Sequence, residues 1–334
     1  MATMATIARA AGVSPSVVSR IINSDETLRV RNVTRKRVED LIRELDYAPH
    51  TAARSLRSAR SGYLALVMHD LKNPVNAEIF SCAQRAAARH GMATIPGEAS
   101  RKGDCSLLED LIGGGGVDGL ILQGANTKMD RVLSRAARRK IPTVHLQSGY
   151  SKDSRVVSID NQKAARIATQ HLLDLGHRRI GFLHVAQRLP FSQERKAGWM
   201  NSLSDAGIQP EFSWQGTGGF DFFGGARGIE KLLASAEGLT AAVFSNVISA
   251  IGALSKVLDM GIRVPREFSV VAIHDSDMAK CTRPSITAVR TPLERVAEIA
   301  VEEICSRTDT IRKRILVSEP SLKLVERMSS GPAP

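Results

Sequence analysis

The sequence predicts a small all-α headpiece followed by a larger α/β body built on parallel sheets. Two observations carry this prediction. The first 46 residues read as short amphipathic helices broken by turn signals, and from Tyr63 onward short aliphatic runs alternate with helical stretches. At 334 residues the chain exceeds one average domain, and 43% hydrophobic with 24% charged residues suits a globular protein with sizeable cores.

Thr3 is placed to cap a helix over Met4 to Ala11, whose apolar positions Met4, Ile7, Ala8 and Ala11 share a face. Gly12 supplies the turn. Ser14 then serves as an N-cap and Pro15 as the first position of a second helix ending near Ile22. A third helix is expected to follow Thr34, with Val38, Leu41, Ile42 and Leu45 on one side. Ala8, Gly12 and Val18 are spaced as in a helix-turn-helix: a small residue at the crossing, a glycine in the turn, an aliphatic beneath the second helix. A plain helical hairpin shows the same spacing. Charge favours a nucleic-acid partner: the chain carries a net +12, and residues 1–60 hold eleven Lys/Arg against six Asp/Glu.

In the body, 63–70, 92–97, 118–124, 142–147 and 156–160 read as strands, with helices over 78–91, 105–112 and 128–140. A second series starts at 161 and continues through the strands RIGFLHV, TAAVFSN and FSVVAIHD. In such folds ligands bind where loops leave the C-terminal ends of the strands.

Several function classes are excluded or unsupported. Cys82, Cys105, Cys281 and Cys305 are far apart, with no CxxC pair, so reduced thiols are expected and neither a disulfide framework nor a zinc site. The beginning MATMATIARA lacks the apolar core of an export signal, and no run spans a bilayer, so a cytoplasmic, nucleoid-associated protein without membrane contact is expected. Gly113 to Gly116 are not followed by GK[ST], and neither HExxH nor GxSxG occurs. No catalytic residue, metal or cofactor is expected.

The stretches ATIARAAGVSPSVVSRIIN and VTRKRVEDLIRELDYAPHTAARSLR strongly resemble the LacI (lac repressor) family of transcriptional regulators. So do NPVNAEIF at 73–80, VDGLILQG at 117–124, SIDN at 158–161, LGHRRIGFL at 175–183 and RKAGW at 195–199. The segments 250–275 and 283–304 complete the series. The resemblance implies a body like the type I periplasmic sugar-binding proteins: two subdomains joined by three crossovers around a cleft. It divides the chain into a helix-turn-helix domain (1–46), a hinge helix (47–60), a first subdomain (61–160 and 291–328) and a second (161–290).

By that resemblance the second helix enters the major groove of double-stranded operator DNA. Pro15, Ser16 and Arg20 then face base edges, Arg20 being able to contact guanine through two hydrogen bonds. Thr3, Ser14, Asn23 and Thr34 fall where phosphates are touched. In the hinge, His50 and Ala53 belong to the DNA-contacting set, and Leu56 wedges into the minor groove. The family binds as a homodimer, and a small-molecule effector sets operator affinity.

The positions that line the effector cleft by resemblance are Asn73, Val75, Asn76, Gln147, Arg195, Phe220, Asn246 and His274. Arg195 falls on an arginine that binds effector in many members, and Phe220 where an aromatic often stacks. Three positions that usually hold aspartate instead hold Gln147, Val247 and His274. Loss of acids beside a retained arginine suits an acidic effector, such as a sugar acid or another small carboxylate. A pocket that binds nothing, with a protein partner as regulator, is the alternative. His177 is expected to be a turn residue and not a base.

Overall fold

The computed structural model describes residues 2–22, 25, 27–47, 60–68, 70–98, 106–123, 130–147, 155–185, 189–306 and 313–334. They form two units, Met1–Ser61 and Gly62–Pro334.

The first unit holds α1 (Met4–Ala11), α2 (Pro15–Ile22) and α3 (Asn32–Glu44). Thr3 caps α1, its hydroxyl accepting from the Thr6 N–H at 3.1 Å, and Gly12 ends that helix at φ 68°, a left-handed conformation suited to glycine. Ile7, Ala8, Ala11, Val18, Ile21 and Val38 close into one buried cluster, as the helix-turn-helix spacing predicts. The third helix begins earlier than expected. It starts at Asn32, with Arg31 as a cap residue that makes no side-chain hydrogen bond, so Thr34 lies inside its first turn. Asn23, after the second helix, and the hinge residues His50, Ala53 and Leu56 lie outside the described residues.

The body comprises, in order, β1 (Tyr63–Met68), α4 (Pro74–Arg89), β2 (Ala93–Glu98), α5 (Ser106–Gly113), β3 (Gly119–Gln123), α6 (Asp130–Arg138), β4 (Thr143–Leu146) and β5 (Arg155–Ile159). There follow α7 (Asn161–Asp174), β6 (Ile180–His184), α8 (Pro190–Asp205), β7 (Gln215–Thr217), α9 (Phe222–Ser235), β8 (Ala241–Phe244), α10 (Val247–Asp259) and β9 (Ser269–Ile273). The last elements are α11 (Asp277–Cys281), β10 (Thr287–Arg290), α12 (Leu293–Cys305), β11 (Arg314–Val317) and β12 (Lys323–Val325). Two six-stranded sheets result, ordered β11-β5-β4-β3-β1-β2 and β12-β10-β9-β8-β6-β7. Every pairing is parallel except β10 with β12. Strands such as Ile180–His184 and Ser269–Ile273 are buried along their whole length, as strands covered by helices on both faces must be.

The chain passes between the sheets after β5, after β10 and after β11. The last crossing corrects the predicted subdomain division. Segment 323–325 was assigned to the first subdomain, but Lys323–Val325 pairs antiparallel with β10 of the second sheet. The residues beyond it stay there: Val270 N–H donates to the Ser329 carbonyl at 2.8 Å, and Ala333 N–H to that of Leu175 at 2.9 Å.

His177 fastens this tail and is fully buried, not merely a turn residue. Its Nε2–H donates to the Gly331 carbonyl at 3.0 Å, which leaves Nδ1 to accept from the Thr240 hydroxyl at 2.8 Å. Burial lowers its pKa and so keeps the ring neutral at pH 7. Burial likewise lowers His171 and His184, and brings His145 in β4 down to about 4. Below pH about 6.5 the unfolded chain binds protons at these sites that the folded chain refuses, so stability falls as pH drops. His145 alone is expected to withdraw about 3 kcal/mol between pH 6.5 and 4. Urea titrations from pH 7.5 to 4.5 should show this loss, with a flatter profile for His145→Leu; a pH-independent midpoint would contradict it.

Among the described residues no helix is long and apolar enough to cross a membrane.

Candidate functional site

In the headpiece, Pro15 and Ser16 open α2 and are exposed, and Arg20 lies one turn beyond Ser16 on the same face. The Ser14 hydroxyl accepts from the Val17 N–H at 3.4 Å, and Thr34 is half-buried in the first turn of α3. The Arg20 guanidinium is engaged: Nε donates to Asp25 Oδ2 at 2.7 Å and Nη2 to Thr27 Oγ1 at 2.8 Å.

In the body, the predicted residues gather at the C-terminal ends of the strands. Gln147 follows β4 and His274 follows β9, the corresponding third strands from the edges formed by β11 and β12. Both adopt left-handed backbone, at φ 67° and 69°. These are two of the positions where acids were expected, and His, like Asp, enters that conformation more readily than most residues.

Arg195, in α8, is the centre of the arrangement and is 2% exposed. Its Nε donates to Asn161 Oδ1 at 2.9 Å, Nη1 to the Ser245 carbonyl, and Nη2 to His274 Nε2 at 2.8 Å. The Phe191 ring lies 5.1 Å from its guanidinium carbon. Because Nε2 of His274 accepts, its Nδ1–H must donate, and it does so to the Thr291 hydroxyl at 2.6 Å. Burial, then the nearby Arg195 charge, holds His274 well below the ordinary histidine pKa. It is therefore a neutral ring that aims the arginine, not a second cation.

Burial also lowers Arg195 to about 9, partly offset by the negative charge of Glu194. It remains charged at neutral pH. Among the described residues no carboxylate hydrogen-bonds to it: Glu194 instead accepts from Asn161 Nδ2 at 3.0 Å and pairs with Arg314 at 2.6 Å. Around this buried cation several polar groups have no partner among the described residues, including Gln147 Nε2, Ser192 Oγ one turn before Arg195, and Ser245 Oγ. Gln147 Oε1 accepts from Asn161 Nδ2 at 3.4 Å.

The remaining predicted positions form a second group with structural duties. Asn73 caps α4, accepting from Val75 N–H at 3.0 Å, and reaches the Phe220 carbonyl of the other subdomain at 3.5 Å. Asn246 caps α10 and donates to the Gly219 carbonyl at 3.0 Å. Asn76 donates to the Asp70 carbonyl at 2.7 Å. Val75 and Val247 are drawn into the hydrophobic core.

Sequence reasoning missed Asn161, Glu194, Phe191 and Thr291. Asn161 was within reach, because SIDN already marked a strand-to-helix junction; Thr291 gave no signal of its own.

A helix-turn-helix unit rich in Lys and Arg, followed by a two-sheet body with a buried arginine among unpartnered polar groups, fits a ligand-responsive DNA-binding regulator. Residues 3–50 match the family model for bacterial regulatory proteins of the lacI family, and residues 169–330 that for a periplasmic binding protein-like domain. The HTH-type transcriptional regulator GalS of Salmonella typhimurium is 32% identical over 313 residues, covering 90% of this chain and 88% of that protein. The ribose operon repressor of Haemophilus influenzae is 29% identical over 339 residues, covering 99% of each. A crystal structure of a LacI family transcriptional regulator from Mycobacterium smegmatis superposes with a TM-score of 0.73, at 30% identity over 81% of this chain and 100% of that one. The chain belongs to the LacI family of DNA-binding transcriptional regulators, and these relatives are named as a transcriptional regulator and a repressor, not as enzymes.

Proposed function

We propose that this chain is a homodimeric repressor whose grip on a pseudopalindromic operator is set by a small carboxylate, such as a sugar acid, bound against Arg195. The observation that supports the acidic effector is the buried guanidinium without a hydrogen-bonded carboxylate among the described residues. Burial depresses its pKa to about 9, and an anionic ligand would relieve that cost with charge-assisted hydrogen bonds. The surrounding unpartnered groups, an amide N–H₂ and two hydroxyls, are able to donate to ligand oxygens. Effector binding would shift the balance between two arrangements of the subdomains and so the operator affinity of the paired headpieces.

Calorimetry with gluconate and glucuronate beside glucose and ribose tests this. Binding of an acid at least about 100-fold tighter than its neutral counterpart is expected, about 2.7 kcal/mol. Tight binding of a neutral sugar alone would sink the acidic reading, and the ribose operon repressor among its relatives makes that comparison necessary. Failure of every small molecule would favour control by a protein partner.

A further inference from the structure

Asp25 is an odd residue to find beside the DNA-reading face of a basic headpiece. Its carboxylate would repel phosphates, and its ion pair with Arg20 is partly exposed (41% and 31%), where such pairs contribute little to stability. Its geometry suggests another role. Oδ2 takes Nε–H of Arg20, while Oδ1 takes both the Thr27 N–H at 2.9 Å and the Thr27 hydroxyl hydrogen at 2.7 Å. The Thr27 hydroxyl oxygen in turn takes an Nη2–H of Arg20. The Arg20 contacts keep the carboxylate ionised down to a pKa of about 2.

A guanidinium can present two edges, each with two parallel N–H groups: a side edge of Nε with Nη2, and an end edge of Nη1 with Nη2. Asp25 and Thr27 together occupy the side edge. The end edge takes no part in these contacts. We infer that Asp25 and Thr27 are specificity-determining positioning residues, which clamp the side edge of Arg20 so that only its end edge meets guanine O6 and N7. This rests on the reading of Arg20 as the base-contacting residue. A clamped fork reaches the groove already oriented, whereas a free one would trade between a base and the nearest phosphate.

The test uses the full-length chain and a random duplex library to select its preferred site. Wild type, Arg20→Ala, Asp25→Ala and Thr27→Ala are then compared on that site, on single-base variants of it and on an unrelated duplex. Asp25→Ala should lose about tenfold or more of the preference for guanine at the base pair where Arg20→Ala also loses it. Its affinity for the unrelated duplex should be unchanged or tighter, because one negative charge is gone. Thr27→Ala, which keeps the Asp25 contact, should lose less at the same base pair. An Asp25→Ala protein that binds all duplexes proportionally more weakly, with base preference intact, would show a merely structural residue and overturn the inference. Unchanged preference in both clamp variants would overturn it while leaving the Arg20 reading standing. If Arg20→Ala itself selects the wild-type site, both fall together.

Discussion

Replacing Arg195 by Ala is expected to abolish the effector response, with effector affinity falling at least about 100-fold, since a charged, bidentate-capable donor in a buried site carries about 3 kcal/mol or more. Arg195→Lys should not rescue it. A lysine offers a point charge without the planar fork that satisfies Asn161, the Ser245 carbonyl and His274 together. The alanine variant should also lose stability, because each of those three buried acceptors is left without its donor at a cost of about 1–3 kcal/mol, less what water or relaxation restores. Operator titrations with and without the acid that binds the wild type, beside thermal melts, measure both effects. A folded Arg195→Ala protein that still responded to the acid would place the effector elsewhere.

Gly252→Ala is expected to be the most damaging single methyl group in the body. A Cβ at Gly252 in α10 would overlap the Phe222 carbonyl, whose carbon lies 2.7 Å away, and one at Gly225 in α9 would overlap the Ser249 backbone, with its Cα at 2.6 Å. The two helices therefore meet backbone to backbone, each glycine admitting the other helix. Main chain cannot move aside as a flexible side chain can, so the loss should be about 3 kcal/mol, at the upper end for overpacking. Gly216→Ala is the control. Its Cβ would find nothing nearer than 3.9 Å, and little change in the urea midpoint is expected. Equal stabilities for the two variants would contradict this account.

The parts that were legible in the sequence are those whose causes are local. The bounds of α1 and α2 follow from Thr3, Gly12 and Pro15, which act within a few residues of themselves. The start of α3 was misplaced because Arg31 caps it with no side-chain hydrogen bond, so the sequence holds no capping signal there. Strand β12 was assigned to the wrong subdomain because the three residues Lys-Leu-Val carry no signal of which sheet edge accepts them. Arg195 and His274 were singled out in the sequence by their positions in recognisable motifs. Their contact was not, since 79 residues separate them along the chain. Nor does the sequence show that His274, where an aspartate is usual, is kept neutral by burial beside Arg195.

The sequence by itself determined the architecture: a capped helix-turn-helix, then aliphatic runs alternating with helices, the pattern of covered and mainly parallel sheets. Periodicity and capping are short-range properties, and they survive being read one residue at a time. The tertiary structure decided the rest. Which acceptors the Arg195 fork meets, why Gly225 and Gly252 must be glycine, and how His177 holds the C-terminal tail all depend on groups brought together from distant segments. A buried charge acquires its meaning from the partners that folding supplies, and those partners have no fixed spacing in the chain.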